Sequence, residues 1–432
     1  MSAATEVMSI LRAAVGGPLP IRIRCWDGSQ AGEADAAATV VCVRRRALGR
    51  LLWAPNQLGL VRAYVSGDVD FEGDIFAVLD VPDVIQRVAH HQEIGLSARQ
   101  RLGAGLAAVR LGAVGAPPRP PDEEVRRRHG RLHSRGRDAE SVSHHYDVGN
   151  DFYRLILGPS MVYSCAYWTQ EAGPQYGLED AQRDKCELVC AKLGLQPGMR
   201  LLDVGCGWGS LAIHAAARYG VSVVGITVSQ EQARQARRHV AEQGLADLVE
   251  IRVQDYRDVA DGPYEAISSV GMSEHVGRAQ LKGYSQQLMD LLRPGGRLLN
   301  HAIASVRSVP PPSKQQPGFI DRYIFPDGEL VPLSTTLDAL EHAGLEVRDV
   351  EALGEHYGPT LRCWVNNLRE AWPEAQQLVS APRTRTWLLY LAVCALAFEH
   401  GNLTVHQVLA VRQAENGVSG PPLTRDQWLA AT

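Results

Sequence analysis

Nothing in this chain constrains its fold more than the stretch Leu202-Asp203-Val204-Gly205-Cys206-Gly207-Trp208-Gly209-Ser210. Glycines at alternate positions tolerate positive φ and let a ligand come close to the backbone, and a helix starting directly after them offers unpaired N–H groups. The apolar run Met199 to Val204 reads as a buried strand and Ser210 to Tyr219 as a helix, so the glycines sit at a strand–turn–helix junction. Their spacing is G-x-G-x-G and differs from the G-x-G-x-x-G of a dinucleotide site. A tight strand–helix turn with no ligand is the minor alternative.

The alternation continues downstream. Val221 to Ile226 reads as a strand and Gln230 to Gln243 as a helix. Val249 to Val253, Ala266 to Val270 and Arg297 to Ala302 extend the series, with Gly295-Gly296 as the turn before the last. Strands alternating with helices imply an α/β fold built on a parallel sheet. Beyond Thr360 the text reads as helical, with Trp364, Trp372, Trp387 and Tyr390 spaced along it. The longest apolar run, Trp387 to Phe398, is too short to cross a bilayer and reads as a buried helix. Met1 to Ala14 has no basic stretch followed by an apolar core, so no secretory signal is expected.

At 432 residues the chain exceeds one ordinary domain, and its text changes character twice. Residues 1–111 read as a small mixed α+β domain. In it, Ile21 to Cys25 alternates as a strand, Asp27-Gly28 turns, Ala38 to Arg44 is a second strand, and Leu58 to Val65 is helical up to Gly67. A docking or lipid-binding role is expected there, since no catalytic constellation appears. Residues 112–140, rich in Gly, Pro and Arg, read as a linker, and 141–432 as the α/β part with a helical C-terminal portion. The linker carries Arg126-Arg127-Arg128 and Arg131, with Arg135 and Arg137 beyond. A solvated linker and a segment drawn to anionic headgroups, at about 1 kcal/mol per basic side chain, both remain open. The chain as a whole has 44 basic against 48 acidic residues, which argues against a nucleic-acid partner. Eight cysteines with no C-x-x-C pair support neither a disulfide framework nor a zinc site, and point to a reduced, cytosolic setting.

Several residues gather at the strand ends, where open α/β sheets bind ligands. Asp203 lies two residues ahead of the first glycine. The second strand ends Thr227-Val228-Ser229 with no acid, followed by Gln232. After the third strand, the Asp255 carboxylate could accept from an exocyclic amine beside Tyr256, or simply face solvent. The fourth strand leads to Glu274 and the fifth to His301, so the two would meet at one sheet edge. Upstream, His144-His145-Tyr146-Asp147 and Tyr163-Ser164-Cys165-Ala166-Tyr167-Trp168 fit no standard metal spacing. Their ring density suits binding of a cation through aromatic faces, or a core cluster.

The glycine loop resembles motif I of class I S-adenosylmethionine (SAM) methyltransferases, with their Rossmann-like fold. In combination, several blocks resemble the cyclopropane-fatty-acyl-phospholipid synthase and mycolic acid methyltransferase family. They are His145 to Asp151, Tyr163 to Trp168, Leu202 to Gly209, Thr227-Val228-Ser229, Val270 to Gly277 and Phe319 to Pro326. Thr-x-Ser at the second strand end is the family's own pattern. The resemblance implies cofactor contacts from Tyr163, Ser164, Asp203, Gly205, Gly207, Thr227, Ser229, Gln232, Asp255 and Tyr256. It further implies a bicarbonate ion held by Glu274, His301 and Tyr357 with the neighbourhoods of Cys165 and Ile303. Ser273 stands where many members carry Phe. Gly17 to Arg22, Leu58 to Gly73 and Gly318 to Leu330 resemble actinobacterial enzymes that make 10-methylene-stearoyl lipids. Those imply an unsaturated acyl phospholipid as substrate and an anionic membrane surface as partner, reached from the cytoplasmic side. They also imply a separate FAD/NADPH-dependent reductase acting on the product, and leave a homo-oligomer open. Two readings compete. A nicotinamide oxidoreductase would need a G-x-G-x-x-G loop and an acid about twenty residues on, and the chain has neither. A lipid carrier with a dead methyltransferase part would not need Glu274, His301 and Tyr357 together.

Overall fold

A computed structural model describes residues 2–15, 19–54, 56–80, 98–112, 115–125, 134–137, 148–306, 318–417, 420 and 422–425. His144 to Asp147 and Arg126 to Arg131, which carry two of the sequence expectations, lie outside them. The chain divides into two compact units.

The smaller unit is built on a four-stranded sheet of order β2-β1-β3-β4, with β1 Arg22–Cys25, β2 Gln30–Gly32, β3 Ala38–Cys42 and β4 Val69–Gly73. Strand β1 runs parallel to β3, and the remaining neighbours are antiparallel. Alternate side chains of β1 and β3 point inward, placing Ile23, Cys25, Val40 and Cys42 in a core with Ala4, Val7 and Met8 of the helix Ala3–Val15. The helix Gln57–Val65 begins at Asn56, whose side chain accepts from Gly59 N, and the chain turns at Gly67 with φ +68°. The strands β2 and β4 and the helices Ala3–Val15, Arg46–Trp53, Ile75–Leu79 and Ala98–Arg110 go beyond the sequence expectation.

This unit also takes in the helices Phe319–Tyr323 and Trp372–Leu378 and the helix Ala381–Glu399 as far as Ala397, all of which the sequence groups with the α/β part. Long-range ion pairs hold them there. Glu124 accepts from Arg62 Nε and Nη2 and from Arg322 Nη1, each at 2.7 Å, and from the Tyr323 hydroxyl at 3.1 Å. Arg385 grips Asp70 with two bonds of 3.0 and 2.9 Å and lies over the Tyr64 ring. Pairings across such sequence distances leave no local signature.

The larger unit holds a seven-stranded sheet of order β10-β11-β9-β8-β5-β6-β7. Its strands are β5 Arg200–Val204, β6 Ser222–Thr227, β7 Val249–Val253, β8 Tyr264–Val270, β9 Leu292–Ser305, β10 Glu346–Ala352 and β11 Leu403–Val411. Strands β5 to β9 are mutually parallel, as the alternation implies. Three details correct the sequence expectation. The chain is not helical throughout after Thr360: β11 inserts antiparallel between β9 and β10, so the sheet is mixed. Strand β10 adds an element that the sequence expectation lacks. Gly295-Gly296 does not precede β9 but falls within it, where the register jumps from Tyr264↔Leu292 to Ala266↔Arg297.

Buried Leu201 and Leu202 show how the sheet acquires two cores. Leu201 packs on one face with the helices Leu178–Leu193, Ser210–Tyr219 and Gln230–Glu242. Leu202 packs on the other with Leu281–Leu291 and Leu333–His342. Successive strand residues face opposite ways, so a continuous apolar strand buries both sides. Chain order reverses between β5 and β8, and such a switch point opens a crevice beyond the strand ends.

Candidate active site

The crevice is where the glycine loop lies. Gly205, Gly207 and Gly209 have φ of +79°, +56° and +86°, and the helix Ser210–Tyr219 starts immediately after. Gly205 N and Cys206 N both donate to Ile226 O, at 3.0 and 2.9 Å, which fastens the loop to β6. The glycines serve different ends. A Cβ on Gly205 would come 2.6 Å from Met272 Cγ, whereas one on Gly207 would enter open space in the cleft. Gly207 therefore keeps the floor clear for a ligand, and its backbone conformation disfavours any side chain.

Nine of the ten residues expected to contact the cofactor line this cleft: Tyr163, Ser164, Asp203, Gly205, Gly207, Thr227, Gln232, Asp255 and Tyr256. Ser229 does not. Its hydroxyl accepts from Gln232 N at 3.2 Å and caps the helix Gln230–Glu242, while its own N–H donates to Thr227 Oγ1. Thr227 in turn donates to Gln232 Oε1 at 2.8 Å, so Thr-x-Ser builds a neutral, buried turn where an acid would otherwise stand. Asp255 accepts from Arg257 N and Nε at 2.9 and 2.8 Å, and Tyr256 meets Tyr284 edge-on at 4.7 Å. Buried Asp203 accepts from Ser268 Oγ across the sheet at 2.7 Å; its burial pushes the carboxyl up to about 6, against the opposing pull of Ser268 and Lys185.

Beyond β8, Gly271 turns the chain into the short helix Ser273–Val276. Ser273 donates to Asn300 Oδ1 at 2.8 Å, a tie to β9 that fixes the residue beside it. That residue, Glu274, accepts from Ile303 N through Oε1 at 2.7 Å, while Oε2 is buried with no hydrogen-bond partner among the described residues. Burial pushes its carboxyl up to about 7. On β9, two residues before Ile303 and on the same face, His301 is buried with Nδ1 3.3 Å from Gln407 Nε2. Burial first, then Lys185 and Lys192, pushes this imidazole down to about 3, so it is neutral at physiological pH.

Cys165 and Tyr357 reach the same strands by another route. The fully buried Cys165 thiol donates to Ala166 O at 3.3 Å and Leu353 O at 3.7 Å; Leu353 N donates to Val405 O, and Val405 pairs with Ile303. Tyr357 stands in the first turn of the helix Gly354–Glu370, against Phe398 at 4.6 Å and Trp364 at 6.0 Å. Rings then run on to the cofactor cleft: Trp364 to Tyr163 at 5.4 Å, Tyr163 to Tyr153 at 5.6 Å, and Tyr153 to Trp208 at 4.8 Å. Part of the upstream aromatic block, Tyr163, thus belongs to one continuous wall of rings from Trp208 to Tyr357.

The residues present suit a methyl donor with adenine near Asp255 and Tyr256 and a reacting end near Tyr163. They also suit a small anion beside Glu274, whose Oε2, without a hydrogen-bond partner among the described residues, would accept from that anion's hydroxyl. Sequence reasoning missed three participants: Lys185, Gln407 and Asn300. Lys185 had a signal, since Gln182, Lys185, Val189 and Lys192 fall on one helix face that is otherwise apolar. Among the described residues, no group of three or more His, Cys, Asp or Glu could hold a metal.

A family profile described as mycolic acid cyclopropane synthetase matches residues 133–408. Over 428 residues the chain is 40% identical to a probable fatty acid methyltransferase of Mycobacterium tuberculosis, covering 98% of this chain and 97% of that protein. It is 32% identical over 411 residues to a tuberculostearic acid methyltransferase of the same organism, covering 94% and 89%. A crystal structure of mycolic acid cyclopropane synthase complexed with S-adenosylhomocysteine and CTAB matches with a TM-score of 0.59 at 33% identity. It covers 63% of this chain and 97% of that one.

Proposed function

Since this chain belongs to the mycolic acid cyclopropane synthetase family of SAM-dependent methyltransferases, we propose that it methylates the double bond of an unsaturated fatty acyl chain carried on a phospholipid. The observation that supports this reading is the continuous wall of rings that starts at Trp208 and Tyr163 in the glycine-loop cleft and runs through Tyr153 and Trp364 to Tyr357. An alkene is a weak nucleophile, so it needs an electrophile held in line and shielded from water. Its π electrons form a C–C bond to the donor's methyl group as the C–S bond breaks towards sulfur. A carbocation remains on the neighbouring carbon, and aromatic faces stabilise such charge. Glu274, His301 and Tyr357 would hold bicarbonate, which supplies a base when bound. Neutral His301 favours an anion there as a donor, and Glu274, fastened to Ile303 N by one oxygen, would keep the other to accept from the hydroxyl of bicarbonate. Cys165, its thiol pushed up by complete burial, acts as wall and not as nucleophile.

Two outcomes share that cation. Loss of a proton from the added methyl, with its electrons closing onto the cation, gives a cyclopropane. A hydride shift to the cationic carbon moves the charge to the methyl-bearing carbon, and proton loss from the methyl then gives an exocyclic methylene. We favour 10-methylene-stearoyl from oleoyl chains, which a separate FAD/NADPH-dependent reductase would saturate. Supporting this, both fatty acid methyltransferase relatives align over nearly the whole chain, whereas the cyclopropane synthase structure aligns with 63% of it. That same structural match favours cyclopropanation as the second reading. Incubation with SAM and oleoyl phospholipid followed by proton NMR decides between them. Vinylidene signals are expected; upfield ring-methylene signals without vinylidene would overturn the methylene assignment.

A further inference from the structure

Among the described residues, Lys185 makes no ion pair. It projects from the helix Leu178–Leu193, is 2% exposed, and lines the cofactor cleft. Its one hydrogen bond among the described residues is to a neutral group, Ser164 Oγ, at 3.0 Å. Asp203 lines the same cleft but is engaged with Ser268, and no ion pair joins it to Lys185. Two turns further along the same helix face, Lys192 gives the contrast. It too is buried, but it ion-pairs with Glu351, lies 3.7 Å from Asp349 and donates to Gln407 Oε1 at 2.8 Å. Asp203 acts on Lys185 only through space, and a buried ammonium with no carboxylate in contact is costly, so Lys185 is poised to receive an anion from outside the chain.

SAM carries one anionic group, the α-carboxylate of its methionine part. With adenine at the β7 end, by Asp255 and Tyr256, that amino-acid part reaches the β5 end, where Asp203, Ser164 and Lys185 line the cleft. Because Lys185 donates to Ser164 Oγ, the Ser164 hydroxyl is free to turn its own hydrogen towards a ligand. We propose that Lys185 is the positioning residue that binds the donor's carboxylate, acting with Ser164 as one charged hydrogen-bonding unit. This rests on the cleft being the SAM site.

Calorimetry with two ligands tests it. S-adenosylhomocysteine keeps the amino-acid part, whereas 5′-methylthioadenosine lacks it. For Lys185→Met, which keeps the side chain's length, S-adenosylhomocysteine should bind about 10- to 100-fold more weakly, as expected for losing a charge-assisted hydrogen bond. Methylthioadenosine should bind within about twofold of the wild type, since it has no carboxylate to lose. Ser164→Ala should shift the two ligands in the same selective sense, and it carries the test if Lys185→Met does not fold. Unchanged S-adenosylhomocysteine affinity, or equal losses for both ligands, would overturn the role of Lys185. A wild type that binds neither ligand would instead remove the cofactor cleft itself.

Discussion

At the scale of single residues, Glu274 concentrates the chemistry. Its carboxyl end is enclosed, one oxygen is held by Ile303 N, and the other has no partner among the described residues. Glu274→Gln should lower turnover by at least about 100-fold, the usual cost of removing one electrostatic stabiliser. S-adenosylhomocysteine affinity should survive, because Glu274 lies off the cofactor cleft. The same substitution should raise Tm at pH 8 and change it little at pH 5. A carboxyl at about 7 in the folded state and 4.5 when unfolded binds protons preferentially in the fold, so its contribution falls as pH rises between those values. His301 acts in the opposite direction: held at about 3 against an ordinary 6.5, it withdraws stability as pH drops below 6.5. Thermal unfolding of wild type and variant across this range reads both slopes. Gly207→Val should abolish calorimetric binding of S-adenosylhomocysteine, since the side chain would enter the open floor of the cleft at φ +56°. Cys165→Ser should retain turnover, with no mass-shifted adduct on the wild type; both opposite results together would mark Cys165 as a nucleophile.

At the scale of elements, β11 is decisive. It comes from the end of the chain, yet it lies between β9 and β10 and sets the far side of the site. Through Gln407 it connects Lys192 to His301, holding the imidazole from behind. Gln407→Leu should leave both groups short of a partner at a cost of about 1–3 kcal/mol. A lowered Tm with normal S-adenosylhomocysteine affinity is the expected result, and an unchanged Tm would show that this bridge contributes nothing. The element is hard to read because the alternation of Leu403-Thr404-Val405-His406 breaks at Gln407, a polar residue at a buried position, and burial is two-sided from Val408 onward. Its neighbour β10, with Arg348, Asp349 and Glu351, reads as polar text although Asp349 is buried against Arg425.

At the scale of the molecule, the proposed lipid substrate requires a surface that meets bilayers from the side. No helix among the described residues is long and apolar enough to cross a membrane. Part of the linker is already committed, since Arg137 grips Asp327 with two bonds and Arg135 pairs with Asp258. The smaller unit presents something else. Its helix Ala98–Arg110 turns small Ala104, Ala107 and Ala108 inward and large Leu102, Leu106 and Val109 outward, at 68%, 52% and 63% exposure. An apolar face beside exposed arginines such as Arg110 suits an anionic interface. Co-sedimentation with anionic vesicles should weaken in high salt, with neutral lipid, and on replacing those three residues by serine. Equal binding under all these conditions would remove the docking surface from the proposed function.

What the sequence determined is local: the glycine loop, the Thr-x-Ser turn, five parallel strands and the succession of residues at their ends. Each follows from short-range rules of periodicity, turn geometry and steric room, which act within a few residues. What the tertiary structure decided is partnership over long distances. It set Glu274 against Ile303 N and assigned Ser229 to a helix cap. It also threaded β11 into the sheet and moved the helices after Trp372 into the smaller unit. Burial then raised the Glu274 carboxyl and lowered the His301 imidazole, and left Lys185 facing the cleft with no ion pair among the described residues. Such properties depend on which groups share a low-dielectric space, and only the folded chain brings those groups together.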